Sequence, residues 1–368
     1  MYLNGGPIGT DHYSYRFFEK FEERHGIGFI YIDQRGTGCS SQIPLSQNIE
    51  IAARSSFYST DQIVYDAEFL RLKLLGQMTN WRLFGQSFGG VIATRYLMLF
   101  PEHIQSVHNY AGALFDHFYQ FFGNRILRNN IVANKVLGQN NMRQLAKVRS
   151  YFREDDCLEP SPKTKVCGLA LAQLYFEEGL GDKQSWPLFI KELNNEIIRP
   201  DGRVNLELIK SKVGFGLGYF FSPRFVASRA VWRQEAQTSL GTGPSRKDCQ
   251  LAYQYLKSNG INVDNLVLNH CLIILFADKN FDPNFVNQVV QFYPIRKLLT
   301  VKEFEKRLGQ TKIPYFFYAG ELDIYDISSD LMKNLSRKHQ NLRYIEFQGE
   351  DHFGYFNQDL VWKNLSQY

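Results

Sequence analysis

The sequence predicts an α/β fold, a mostly parallel sheet interrupted by a large, mainly helical insertion. Three observations point to it. Short β-favouring runs alternate with amphipathic helical stretches through the first third of the 368 residues. Segment 115–310 then reads as mostly helical, and strand–helix alternation resumes at Pro314. Alternation at that spacing builds βαβ units and therefore parallel pairing.

Each element has its own justification. Phe29–Asp33 is a short apolar, β-favouring run that ends in a Gly-rich turn. Thr60–Leu75 has helical spacing, with Ile63, Ala67, Leu70 and Leu74 on one face. Trp81–Phe84 predicts a strand that runs through Gly85 into a helix from Phe88 to Phe100, which Pro101 terminates. Ile104–Tyr110 is the next strand. The insertion contributes helical stretches at Ile126–Tyr151, Val166–Glu178, Pro187–Ile198 and Asp248–Ser258, broken by turns such as Gly241–Pro244. Pro314–Ala319 and Leu342–Phe347 are strands again, followed by helices at Ser328–His339 and Tyr355–Leu365. The expected division is a core of 1–114 with 311–368, carrying a helical cap at 115–310.

Composition narrows the function classes. Apolar residues make up 44% and charged residues 21%, as in an ordinary globular protein. The net charge of +5 is scattered without basic runs, which argues against nucleic acid as a partner. Leu266–Ala277, the most apolar stretch, holds Asn269 and His270 and is too short for a membrane span. No signal peptide is recognisable at the N-terminus. The five cysteines (Cys39, Cys157, Cys167, Cys249, Cys271) form no C-x-x-C pair and are odd in number. Neither a metal site nor a disulfide framework is expected from them, and reduced thiols in a cytoplasmic protein are the simplest account. No metal or organic cofactor is implied, and the oligomeric state is left open.

The strongest chemical signal is Gly85-Gln86-Ser87-Phe88-Gly89-Gly90. A strand runs into it and a helix runs out, the setting of a nucleophile elbow. The turn is so sharp that side chains at Gly85 and Gly89 would collide. It lifts the Ser87 hydroxyl off the sheet and leaves the Phe88 N–H at a helix N-terminus, where it can stabilise an oxyanion. Asn4-Gly5-Gly6-Pro7 offers a second set of backbone donors. A serine nucleophile needs a base, and the base needs a carboxylate to fix its tautomer. After the Pro314 strand, Asp323 stands where the acid belongs, with Glu321 and Asp326 as rivals. After the Leu342 strand, Gly349-Glu350-Asp351-His352 places His352 as the base. His339, at the end of a predicted helix, is less suited.

These motifs, with Asp33-Gln34-Arg35-Gly36-Thr37-Gly38-Cys39-Ser40, resemble the prolyl aminopeptidase (proline iminopeptidase) family of α/β-hydrolase serine peptidases. The resemblance covers the core and reaches the cap only in size and helical character. It implies a triad of Ser87, Asp323 and His352, with an oxyanion hole from Gly6 and Phe88. It also implies a small peptide substrate, from which a serine exopeptidase releases an N-terminal residue, preferably proline, by way of an acyl-enzyme. Alternatives are an esterase or amidase of the same fold and a non-catalytic binding protein. The family turn reads H-G-G-P-G where this chain has Asn4-Gly5-Gly6-Pro7-Ile8-Gly9. In that fold the chain would begin at the end of the third strand, which implies either a truncated or misassigned start or a reduced sheet with an edge needing cover. Specificity in the family rests on cap carboxylates that hold the substrate's amino group. Of the acids in the cap, Glu177 and Glu235 lie amid aromatic or apolar neighbours and are the candidates.

Overall fold

Alternating side chains build a sheet that is apolar on both faces. The computed structural model describes residues 1–5, 15–35, 37–40, 59–114, 118–161, 164–220, 246–273 and 300–368. Among these, five strands pair in parallel: β1 (Tyr2–Leu3), β2 (Trp81–Gln86), β3 (Ile104–Tyr110), β6 (Tyr315–Gly320) and β7 (Leu342–Phe347). Their spatial order is β1-β2-β3-β6-β7. Along β6 the period of two is explicit. Tyr315, Phe317 and Ala319 enter one apolar cluster, while Phe316 and Tyr318 enter another on the opposite face.

Helices cover both faces. Taking them in chain order, α1 is Tyr15–His25, α2 Thr60–Leu75 and α3 Phe88–Leu99. The first cluster packs α2 and α3 against the sheet, through Ile63, Val64, Val91, Ile92 and Leu97 among others. The second packs Phe18 and Phe21 of α1 with Val361, Trp362 and Leu365 of the C-terminal helix. On α2 the buried stripe is Ile63, Val64, Ala67, Glu68 and Arg71, and Leu74 is exposed. The stripe turns polar because Arg71 reaches Glu68 and two carbonyls, of Gly76 and Thr79, in a buried network.

Between β3 and β6 the described chain is mainly helical: α4 (Phe118–Arg149), α5 (Gly168–Gly181), α6 (Trp186–Asn195), α7 (Leu206–Phe220), α8 (Arg246–Ser258) and α9 (Val301–Gln310). α4 is broken at Gly138, whose φ of 68° takes it out of the helical region. The antiparallel hairpin β4 (Cys157–Ser161) with β5 (Thr164–Cys167) precedes α5. This insertion has its own core, built from Val132, Leu145, Leu171, Phe176, Leu193 and their neighbours. α9 packs with the sheet instead, since Phe304 and Leu308 join the first cluster. The last two helices, α10 (Ser329–Ser336) and α11 (Asp359–Gln367), flank β7 in the chain.

Two expectations are corrected. Phe29–Asp33 is not a strand: Tyr31 alone bridges to Tyr2, because β1 is two residues long and offers one rung. The cysteines are not all reduced. Cys157 pairs with Cys167 and Cys249 with Cys271, leaving Cys39 as the free thiol. These partners are 10 and 22 residues apart and are brought together by the hairpin and by the packing of α8, which spacing rules do not capture. No described helix is long and apolar enough to cross a membrane.

Candidate active site

The elbow forms as its glycines require. Ser87 has φ 55° and ψ −119°, a conformation that costs an L residue about 1–3 kcal/mol and persists where surroundings enforce it. Enforcement comes from close packing. A Cβ on Gly85 would lie 2.2 Å from the Gly89 carbonyl oxygen, and one on Gly89 would lie 1.8 Å from that of Leu3. The Ser87 N–H donates to the Tyr110 carbonyl at 2.8 Å, which fixes the turn to β3. The Ser87 hydroxyl does not cap α3, although the residue occupies the N-cap position. That hydroxyl makes no hydrogen bond to any described residue.

Beneath the elbow, Asn109 of β3 satisfies several groups at once. Its Nδ2 donates to the Gly90 carbonyl and to the hydroxyls of Thr94 and Tyr315, while its Oδ1 accepts from the Gly112 N–H. A fully paired buried amide of this kind holds α3 against the sheet.

β1 delivers the upstream turn to the same place. A Cβ on Gly5 would lie 2.1 Å from Gln86 Oε1, so the Asn4–Gly5 backbone lies directly against the elbow. Gly6, the expected second oxyanion donor, lies outside the described residues. The Asp33–Ser40 turn props this region. Gln34 donates to the Asn4 carbonyl at 3.1 Å, Asp33 accepts from the Cys39 N–H at 2.9 Å, and Arg35 makes a two-pronged pair with Asp66 of α2.

The structure brings Asp323 and His352 together. His352 Nδ1 lies 2.7 Å from Asp323 Oδ2, and both side chains are buried. The other carboxylate oxygen, Oδ1, accepts from the N–H groups of Tyr325 (2.7 Å) and Asp326 (3.2 Å), which orients the carboxylate within its own loop. The rivals are placed elsewhere. Glu321 pairs with Lys135 and accepts from the Gly349 N–H. Asp326 accepts from the N–H groups of Ser328 and Ser329 at the start of α10. Burial, with Asp323 next to it, pushes the Asp326 carboxyl above its usual range.

The acid and base loops are packed on each other. Gly320 is a required glycine, since a Cβ there would lie 2.4 Å from the carbonyls of both Glu350 and Asp351. The Leu322 N–H donates to the Glu350 carbonyl at 2.8 Å. Gln86, immediately before the candidate nucleophile, donates to the His352 carbonyl at 3.4 Å, so the elbow and the base loop are in direct contact.

Groups from the insertion close over these loops, and the sequence carried no local signal for them. Arg128 of α4 donates to the carbonyls of Gly320, Glu321 and Asp323. Lys183 uses its backbone N–H on Asp351 and its ammonium on Glu350. The Tyr325 ring lies against His352 at 4.9 Å between centroids, and the Arg125 guanidinium stacks over that tyrosine at 4.4 Å. Arg125 then leads to Glu177, the first of the two cap candidates. The Glu177 carboxylate accepts from Arg125, Asn129 and Gln173, and it lies 2.8 Å from His270 Nδ1. Burial alone would push its pKa up, but His270 and Arg125 overcome that and hold it well below the usual carboxylate range. Glu235, the second candidate, lies outside the described residues.

Comparison with known proteins agrees with this geometry at the level of fold. Residues 1–157 match the alpha/beta hydrolase fold family. A proline iminopeptidase of Aeromonas sobria is 34% identical over 118 residues, which is 30% of this chain and 28% of that protein. A putative proline iminopeptidase of Mycoplasma genitalium is 33% identical over 110 residues, 29% of this chain and 30% of its own length. The chain thus matches less than a third of the length of either relative. The crystal structure of a Mycobacterium smegmatis proline iminopeptidase overlays 100% of this chain and 88% of its own, with a TM-score of 0.42 and 13% identity. Through residues 1–157 the chain matches the alpha/beta hydrolase fold, and it is similar to proline iminopeptidases over part of its length.

Proposed function

We propose that this α/β-hydrolase-fold chain is a serine exopeptidase with Ser87 as nucleophile, His352 as general base and Asp323 as the acid. The observation that carries the reading is the buried Asp323–His352 hydrogen bond of 2.7 Å, packed against a strained Ser87 elbow. In the reaction, His352 Nε2 takes the Ser87 proton as Oγ attacks the scissile carbonyl. The Phe88 N–H and the Gly6 turn receive the oxyanion, and collapse passes the proton from His352 to the leaving amine. Water then repeats the sequence on the acyl-enzyme. Asp323 accepts from Nδ1 and stabilises the imidazolium. Substrates enter beneath a cap at 115–310, over a core of 1–114 and 311–368 to which helix α9 adds its apolar face.

A peptide with a free N-terminal proline is the substrate this reading favours, on the strength of the partial resemblance and of the buried Glu177 beyond Tyr325. A second reading, esterase or amidase, has an observation of its own: Glu177 is already paired with Arg125 and His270. The two are separated by cleaving proline naphthylamide in free and N-acetylated form. A carboxylate that must hold an ammonium loses about 3–5 kcal/mol when its partner is removed, so acetylation should slow the exopeptidase by roughly 10²–10⁴-fold. Equal rates would leave the esterase or amidase. Failure of Ser87 to react with a fluorophosphonate would leave a binding protein. As for location, a cytoplasmic site was expected from reduced thiols, and the two cross-links favour an oxidising compartment instead.

A further inference from the structure

We infer that Arg128 is a positioning residue for Asp323, so that a helix of the insertion sets the alignment of the acid–base pair. This rests on the triad reading above. Where β6 ends, at Gly320, the chain turns across the base loop and its carbonyls leave the sheet. Buried carbonyls need partners. Arg128 supplies them from outside the core, across 192–195 residues of sequence. Its Nε donates to the Asp323 carbonyl at 2.8 Å, and its Nη2 donates to those of Gly320 and Glu321 at 2.9 and 2.7 Å. One planar guanidinium therefore spans the whole acid turn, including the peptide of the acid itself. A lysine, with a single charged nitrogen, cannot reproduce that fork.

The division of labour is visible in the donors. The Asp323 carboxylate is oriented by the N–H groups of Tyr325 and Asp326, from within its own loop. Those bonds move with the loop and cannot say where the loop sits. Groups outside the loop fix its place: β7 through Glu321 N–H to the Phe347 carbonyl, the base loop through Leu322 N–H to Glu350, the insertion's apolar core around Ile324, and Arg128, which bonds the Asp323 carbonyl itself. The nearby Lys135–Glu321 pair is too exposed to serve. Without Arg128 the peptide of Asp323 itself loses its bond to the insertion, and the turn is held only through its neighbours, Glu321 on β7, Leu322 on the base loop and Ile324 in the insertion's core. A displacement of about 1 Å at a reacting group costs on the order of 10²-fold in rate.

The test uses Arg128→Gln and Arg128→Lys in the full chain. Three quantities are read: the rate constant for labelling by a fluorophosphonate, kcat and KM on a nitrophenyl ester, and the downfield proton resonance of His352 Nδ1–H. Both variants should label and turn over about 10- to 100-fold more slowly, with KM within about twofold of wild type. The resonance should shift upfield or broaden, and Arg128→Lys should recover only a part. A folded variant with wild-type labelling and an unchanged resonance overturns the proposal, as does a loss confined to KM or to thermal stability. Should Arg128→Gln fail to fold, Arg128→Lys decides alone, because it keeps the stem and the charge and removes only the fork. A wild-type protein that resists labelling strikes the Ser87 reading instead, and the resonance still tests the alignment.

Discussion

The half-buried Ser87 elbow and the buried Glu177 cluster are both polar sites, yet they are specified in opposite ways. At the elbow the turn-forming residues lie within five positions, Gly85 to Gly89, and the contacts that enforce the turn, to one another and to the Leu3 and Tyr110 carbonyls, are backbone against backbone. At Glu177 the decisive groups are side chains that converge from Arg125, Asn129, Gln173 and His270. A backbone constraint leaves a mark in the sequence, because only glycine satisfies it. Converging side chains leave none, since each is an unremarkable residue of its own helix or turn. The chemistry step belongs to the first kind of site and substrate choice, on the proposed reading, to the second.

The comparison can be broken at either end. Ser87→Ala or His352→Ala should each lower kcat by roughly 10⁶-fold, and the double variant little further, because the residues act as a unit. Steady-state rates on a naphthylamide or nitrophenyl substrate read this directly. Asp323→Asn should cost about 10⁴-fold through the wrong imidazole tautomer, with the fold intact by circular dichroism. Activity near wild type in that variant would remove Asp323 from the acid role.

At the other site the effect should fall on stability. Glu177→Gln strands a buried guanidinium and should lose about 3–5 kcal/mol in urea unfolding, while a nitrophenyl ester is still turned over. The sign with pH follows from linkage. Glu177 titrates at about 4.5 when unfolded and lower when folded. Its contribution is therefore present above about pH 4.5 and lost as pH falls toward the folded value. The variant should flatten the acid limb of the stability curve, and an unaltered limb would make the cluster energetically idle.

Smaller effects follow. Each cross-link should contribute about 2–4 kcal/mol, and thiol titration of the unreduced, unfolded chain should find Cys39 alone. Five reactive thiols before reduction would refute both bridges. Glu321→Gln breaks only a half-exposed pair with Lys135 and should change stability by no more than about 1 kcal/mol.

Much of the scaffold was legible. Thr60–Leu75, Ile104–Tyr110 and Leu342–Phe347 have in the structure the bounds that periodicity assigns. The reading faltered where tertiary partners decide. Hairpin β4–β5 went unrecognised because Glu159-Pro160-Ser161-Pro162-Lys163 has neither alternation nor a two-residue turn signature. Helix α9 escaped because its apolar face, Phe304 and Leu308, is sparse. In the candidate site, the meeting of Asp323 with His352 was foreseeable from their order after successive strands. Arg128 and Lys183 were not, since each acts on a loop far away in the chain, and the Tyr325 ring carries no motif that marks it.

The bridge between Cys249 and Cys271 has a consequence for motion. Cys271 directly follows His270, and the preceding amides are held by side chains, Leu268 N–H by Asn130 and Asn269 N–H by Gln173. This wall of the Glu177 cluster is thus tied covalently to α8 and by hydrogen bonds to α4 and α5. Local opening there requires three helices to part together, so these amides should exchange with solvent deuterium among the slowest in the insertion. On the proposed reading, a substrate site braced in this way selects by a shape already in place, and its discrimination between substrates should change little with temperature until the insertion itself melts.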